Sequence, residues 1–77
     1  MLDAVTVGRV IQKYREQKGL SQEVLSGLAD IGRTHLSAIE RGDRRPTLDT
    51  FYKLSKAMDV RPSELLASIE EELSSSK

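Results

Sequence analysis

Cysteine is absent from the 77 residues, so neither a disulfide nor a thiolate metal site can be built. A single histidine cannot assemble a zinc site without unusual help from carboxylates, and no metal or cofactor is expected. No apolar run approaches the ~20 residues that span a bilayer, and the N-terminus lacks the basic-then-apolar order of a secretory signal. The expectation is a cytoplasmic protein with no membrane partner. There is no second histidine to serve a nucleophile and no glycine-rich phosphate loop, and the carboxylates are scattered over helix surfaces. The chain is therefore not expected to be an enzyme, and it has no catalytic candidates. Nothing repeats internally and no linker divides the sequence, so residues 1–77 should form one domain with a small core and little stability to spare.

Net charge is also lacking, since twelve Lys/Arg match twelve Asp/Glu. The balance hides an uneven distribution. Residues 1–61 hold eleven of the bases and eight acids, an excess of three positive charges. Residues 62–77 hold Lys77 against Glu64, Glu70, Glu71 and Glu72, an excess of three negative charges. The densest basic stretch is RTHLSAIERGDRR, residues 33–45, where Arg33, Arg41, Arg44 and Arg45 face only Glu40 and Asp43. Because the field at a surface follows local charge, a polyanionic partner remains open to a neutral protein, although weak non-specific affinity is expected.

Helical periodicity runs throughout and sustained alternation is missing, which predicts an all-α fold of five short helices. Val7, Val10, Ile11 and Tyr14 share one face of a first helix that Gly19 ends. Ser21 suits the N-cap of a second, with Leu25, Leu28 and Ala29 inward, and Asp30-Ile31-Gly32 makes a tight break. A third helix spans about Arg33 to Arg41, stops at Gly42 and turns Leu36 and Ile39 inward. After the turn Asp43–Pro46, Thr47 caps a fourth helix buried through Leu48, Phe51, Leu54, Ala57 and Met58. Pro62 opens a fifth, over about 62–73, and residues 74–77 should fray.

Advancing ~100° per residue from Arg33 places Ser37, Arg41 and Thr34 within the next ~100°, with Leu36 and Ile39 opposite. One face of the third helix is thus short, polar and basic. Small Thr34 and Ser37 let a helix backbone come close to a partner, and Arg33 offers a fork of donors that matches guanine O6 and N7 in a major groove. A merely solvated face would have the same pattern. The three-residue break before this helix is too short for antiparallel packing on the second helix, which implies the steep crossing of a helix-turn-helix.

Leu20-Ser21-Gln22-Glu23, Leu25, Ile31, Leu36-Ser37, Ile39-Glu40-Arg41-Gly42, Pro46-Thr47-Leu48, Met58-Asp59-Val60 and Glu64-Leu65-Leu66 occur in that order. Over roughly residues 7–67 this set resembles the Cro/CI-type, or XRE, family of helix-turn-helix transcriptional regulators. Arg33-Thr34-His35-Leu36-Ser37 is also similar to the restriction–modification controller proteins within that family. The resemblance implies a compact five-helix bundle, the lambda repressor-like DNA-binding domain, acting on double-stranded DNA as a repressor or activator. It implies base reading by Arg33 and Thr34, with Ser37 on the next turn. It places Gln22 beside a phosphate and Arg41 and Arg44 near the backbone or an additional base. Ala38 would offer at most a methyl to thymine, and Glu40 would anchor locally through a salt bridge. His35, on the helix flank, and Arg45 are auxiliary at most.

The chain departs from the family pattern at three places: Asp30 replaces the usual turn glycine, Ser26 a small alanine, and Gly27 sits inside the second helix. The Asp30 position commonly needs positive φ, at ~1 kcal/mol for a non-glycine residue, and Gly27 costs about another 1 kcal/mol. Leu65, Leu66, Ile69 and Leu73 form a stripe too large for the end of so small a core, which predicts an isologous homodimer seam on the fifth helix. A dimer would read a pseudo-palindromic operator, blocking RNA polymerase from over a promoter or recruiting it from beside one. An antitoxin that holds both DNA and a toxin on the same fold is the alternative. A module that docks only protein is another.

Overall fold

The computed structural model describes residues 2–75. Five helices follow in order: α1 (Ala4–Gln17), α2 (Gln22–Ala29), α3 (Arg33–Arg41), α4 (Leu48–Ala57) and α5 (Pro62–Ser75). No strand occurs among the described residues. Ser74 and Ser75 continue α5 rather than fraying, and the remaining two tail residues lie outside the described residues.

The starts of α1, α2 and α4 are each set by a short polar side chain. The Ser21 and Thr47 hydroxyls accept the N–H groups of Val24 and Thr50, each at 3.0 Å. Asp3 caps α1 by accepting from the Thr6 N–H at 3.1 Å and the Thr6 hydroxyl at 2.8 Å. The hydroxyl bond above all, then the N–H bond, lowers the Asp3 pKa from its ordinary value of 3.8. The ends of α1 to α4 share one device. A residue one or two positions past the helix enters the left-handed region, and the next N–H reaches back to a carbonyl in the last turn. Leu20 bonds the Arg15 carbonyl (3.1 Å), Ile31 that of Ser26 (3.0 Å), Asp43 that of Ala38 (2.9 Å) and Val60 that of Ser55 (2.9 Å). The left-handed residues are Gly19, Asp30, Gly42 and Asp59, with φ of 72°, 57°, 83° and 58°. Asp30 thus adopts the positive φ expected of the glycine it replaces, and Asp59 adopts the same conformation after α4.

The core joins all five helices through Ile11, Leu25, Leu36, Ile39, Leu54, Leu65 and Ile69, none of which reaches solvent. α1 packs on α3 and α5, α2 on α3 and α4, and α4 closes on α5. Ser26 is buried, as its small size permits, whereas a Cβ on Gly27 would meet open space, so that glycine has no packing reason.

Several expected core positions face outward. Leu28 is 61% exposed because the buried arc of α2 centres on Leu25, Ser26 and Ala29, and Leu28 stands roughly 100° from that centre. Leu48 is 85% exposed; it begins α4, a turn beyond the already half-buried Phe51, where the helix projects past the core. The α5 stripe divides. Leu65 and Ile69 are wholly buried within one chain, Leu73 packs half-buried against the core, and only Leu66, 40% exposed, faces out. Within one chain α1 and α4 already cover the centre of the stripe, and Leu66 is its exposed large side chain.

Two contacts fix α3 against α1. At Gly8 the helices come so close that a Cβ would lie 2.2 Å from the Ile39 carbonyl oxygen and 2.8 Å from that of Glu40. Seven residues on, Arg15 meets the Glu40 carboxylate with two donors, Nε to Oε2 at 2.7 Å and Nη2 to Oε1 at 3.0 Å. Its third nitrogen, Nη1, donates to the Leu20 carbonyl in the α1–α2 turn at 2.8 Å. The Glu40 side chain is 3% exposed and that of Arg15 11%. The Glu40 hydrogen bonds raise the Arg15 pKa above its ordinary value, so the guanidinium stays charged.

Gly8→Ala should lower stability by ~2–3 kcal/mol, because backbone rather than a flexible side chain blocks the methyl; a urea melt measures it. Arg15→Met should cost ~3–5 kcal/mol by stranding a buried carboxylate, and Arg15→Met with Glu40→Met should cost clearly less than the two singles together. Additive losses in that cycle would show the pair to be uncoupled.

Candidate nucleic-acid interface

With Leu36 and Ile39 in the core and Glu40 tied to Arg15, the opposite side of α3 is left to solvent. Arg33 and Thr34 are exposed, Ser37 and His35 half-buried, and Arg41 exposed. Neither the Arg33 nor the Thr34 side chain has a hydrogen bond or ion pair among the described residues. Gly32 precedes α3 and supplies no side-chain cap. The first N–H with a backbone partner there is that of Leu36, on the Gly32 carbonyl at 3.0 Å. The exposed end of α3 therefore combines a cationic fork, a small hydroxyl and uncapped N–H groups, a set that suits an anion or a polar groove.

The expected readers do not all stand alike. Ser37 accepts from Arg41 Nη1 at 2.6 Å, and Arg41 Nε donates to Asp43 Oδ2 at 3.0 Å. Arg41 is thus held along the helix surface. Gln22, half-buried at the start of α2, donates from Nε2 to Glu40 Oε1 at 2.9 Å, which leaves one amide N–H for an outside acceptor. Ala38 is 9% exposed, which leaves little methyl surface for a thymine. Arg44 is exposed beyond α3 and has no hydrogen bond or ion pair among the described residues. Arg45 turns away toward the N-terminal segment, its Nε 3.2 Å from the Leu2 carbonyl. Glu40 anchors locally, as expected.

Sequence reading missed Arg15, which positions α3 from below without facing outward. Its partner lies 25 positions away, and nothing local in either segment marks the pair. It also missed Asp43, although an acid two residues after Arg41 on the far side of a helix-ending glycine was a usable signal.

A second surface has no α3 residue in its lining. Leu2, Leu48 and Leu66, all exposed, border a hollow of about 270 Å³ whose lining includes Val7, Phe51 and Ile69, with Arg45 and Pro46 at its edge. No helix of the described residues is long and apolar enough to cross a membrane.

Comparison with known proteins agrees with this geometry. A helix-turn-helix family model matches residues 11–65. The control protein C.BamHI of Bacillus amyloliquefaciens is 43% identical over 60 residues, covering 77% of this chain and 74% of that protein. The crystal structure of the restriction–modification controller protein C.AhdI from Aeromonas hydrophila superposes with a TM-score of 0.80 at 38% identity, over 84% of this chain and 98% of that one. Wild-type controller protein C.Esp1396I gives 0.91 at 27% identity over 100% of both chains. Helices α2 and α3 packed on one core, an exposed basic face on α3 and these matches have one reading: the chain belongs to the XRE, or Cro/CI-type, helix-turn-helix family of DNA-binding transcriptional regulators.

Proposed function

We propose that the protein reads a pseudo-palindromic operator in duplex DNA as a homodimer, with α3 in the major groove, and regulates transcription as a restriction–modification controller does. The carrying observation is the pair Arg33 and Thr34, adjacent on the outer face of a helix fixed in the core, with no partner of their own among the described residues. Arg33 supplies two parallel donors to guanine O6 and N7, Thr34 a methyl or a hydroxyl to the neighbouring base, and Ser37 a hydroxyl one turn on. Phosphates meet the remaining Gln22 N–H, the uncapped N–H groups of α3 and the Arg44 guanidinium. His35 flanks this face, while Arg41 and Arg45 reach the backbone only by leaving present partners.

The dimer seam moves from the α5 stripe to the hollow bordered by Leu2, Leu48 and Leu66. Leaving these three leucines in water is unfavourable at roughly 25 cal/mol per Å², and burying the same patch of a second copy satisfies two-fold self-complementarity. Two such chains present two reading helices, as half-sites about 34–36 Å apart require.

Selection of bound duplexes from a random pool should enrich a two-fold motif, and Arg33→Ala should cost ~1–3 kcal/mol on it while erasing preference at one base pair. No enrichment by folded protein would move the assignment to a toxin-dependent or protein-docking role. Leu66→Asp should convert a dimer to a folded monomer in sedimentation and weaken operator binding. An unchanged mass would remove the proposed seam.

A further inference from the structure

The Asp43–Arg41–Ser37 chain lies across the α3 surface assigned to DNA, and the following inference rests on that assignment. Asp43 is not placed by chance rotation of a loop. Gly42 turns through φ 83°, and the Asp43 N–H is fixed on the Ala38 carbonyl at 2.9 Å. From that anchored backbone the carboxylate takes Arg41 Nε at 3.0 Å, and Arg41 Nη1 takes the Ser37 hydroxyl oxygen at 2.6 Å. The salt-bridged side chains remain 58% and 62% exposed, so the clamp is a surface one, screened by water and weak enough to open.

We infer that Asp43 is a specificity-determining residue: it holds Arg41 off the phosphates of non-target DNA, and only a target on which the other α3 side chains bind releases it. The physical basis is competition for one guanidinium. Arg41 cannot keep both Asp43 and Ser37 and also neutralise a phosphate. On a random duplex only the phosphate is gained, one charged partner in exchange for another. On the target, the base contacts of Arg33 and Thr34 bring α3 deeper and supply the free energy to open the clamp. Discrimination then comes from withholding a charge from the wrong partner as well as from contacts to the right one. Ser37 is drawn into the same device. With a cation on one of its lone pairs, its hydroxyl is biased toward donating, and so toward acceptors such as guanine N7 or thymine O4.

The test is a salt titration of binding, by fluorescence anisotropy, to a random-sequence duplex and to the selected duplex. Wild type, Asp43→Asn, Arg41→Ala and the double variant are compared, each checked for an unchanged thermal melt. Asp43→Asn should steepen the log–log salt slope on random duplex by ~0.9, the value of one added phosphate contact, and tighten binding there about eightfold near ~0.1 M salt. Its slope on the selected duplex should stay as in wild type, so the ratio of specific to random affinity falls. In the Arg41→Ala background the gain on random duplex should disappear. An unchanged random-duplex slope, or an equal gain without Arg41, overturns the clamp and leaves the DNA interface standing. A wild-type protein that binds no duplex at low salt removes the interface, and the clamp with it.

Discussion

The position of α3 depends on one buried interaction, the double hydrogen bond between Arg15 and Glu40. A carboxylate that is 3% exposed loses nearly all its hydration, and several kcal/mol of desolvation must be met by a charged partner of fixed geometry. Arg15 meets it with two nitrogens and gives the third to the α1–α2 turn, while Gln22 at the head of α2 completes the set. The guanidinium and the carboxylate together thereby link α1, the start of α2 and the end of α3. An apolar contact could hold these elements together as strongly, but it would tolerate sliding. Directional bonds on a buried charge do not, and the near-contact of backbones at Gly8 removes the remaining freedom.

The elements that could be read from sequence are those set by neighbours in the chain. Ser21 and Thr47 cap the helices that follow them, Gly19 and Gly42 close those that precede them, and the alternation of Leu36 and Ile39 with polar residues shows which side of α3 is inward. Asp30 could be expected in the left-handed region because the family it resembles usually carries a glycine at that turn. Arg15 could not be assigned, since its meaning depends on a residue 25 positions on. Leu28 and Leu48 failed for a related reason. Periodicity assigns an apolar residue to a stripe but does not say how wide the neighbouring helices make the buried arc, nor where along its length a helix leaves the core. The α5 stripe is the converse case. Counting its leucines suggested a surplus for a small domain, whereas α1 and α4 absorb Leu65 and Ile69 fully.

Charge explains how a neutral protein suits a polyanion. Glu40 is withdrawn into the core, and Asp43 is paired along the surface, so the outer side of α3 presents Arg33 beside neutral Thr34. Glu70 and Glu71 are exposed in the later turns of α5, at the other end of the chain. The short range of exposed electrostatics, about 8–10 Å at physiological salt, lets local arrangement outweigh the total. The expected result is modest attraction to DNA in general, with selectivity left to contact chemistry.

The separation of Arg33 and Thr34 from the Arg15–Glu40–Gln22 network has an evolutionary consequence. Both are exposed and make no hydrogen bond or ion pair among the described residues, so changing either proposed reader should leave folding nearly untouched. The scaffold can then acquire new target sequences by single steps without passing through unfolded intermediates. Ser37 and Arg41 lack this freedom, because a change at one alters the hydrogen bonding of the other. Divergence of target preference among descendants of this chain should therefore begin at the first turn of α3 and reach its last turn only through paired changes.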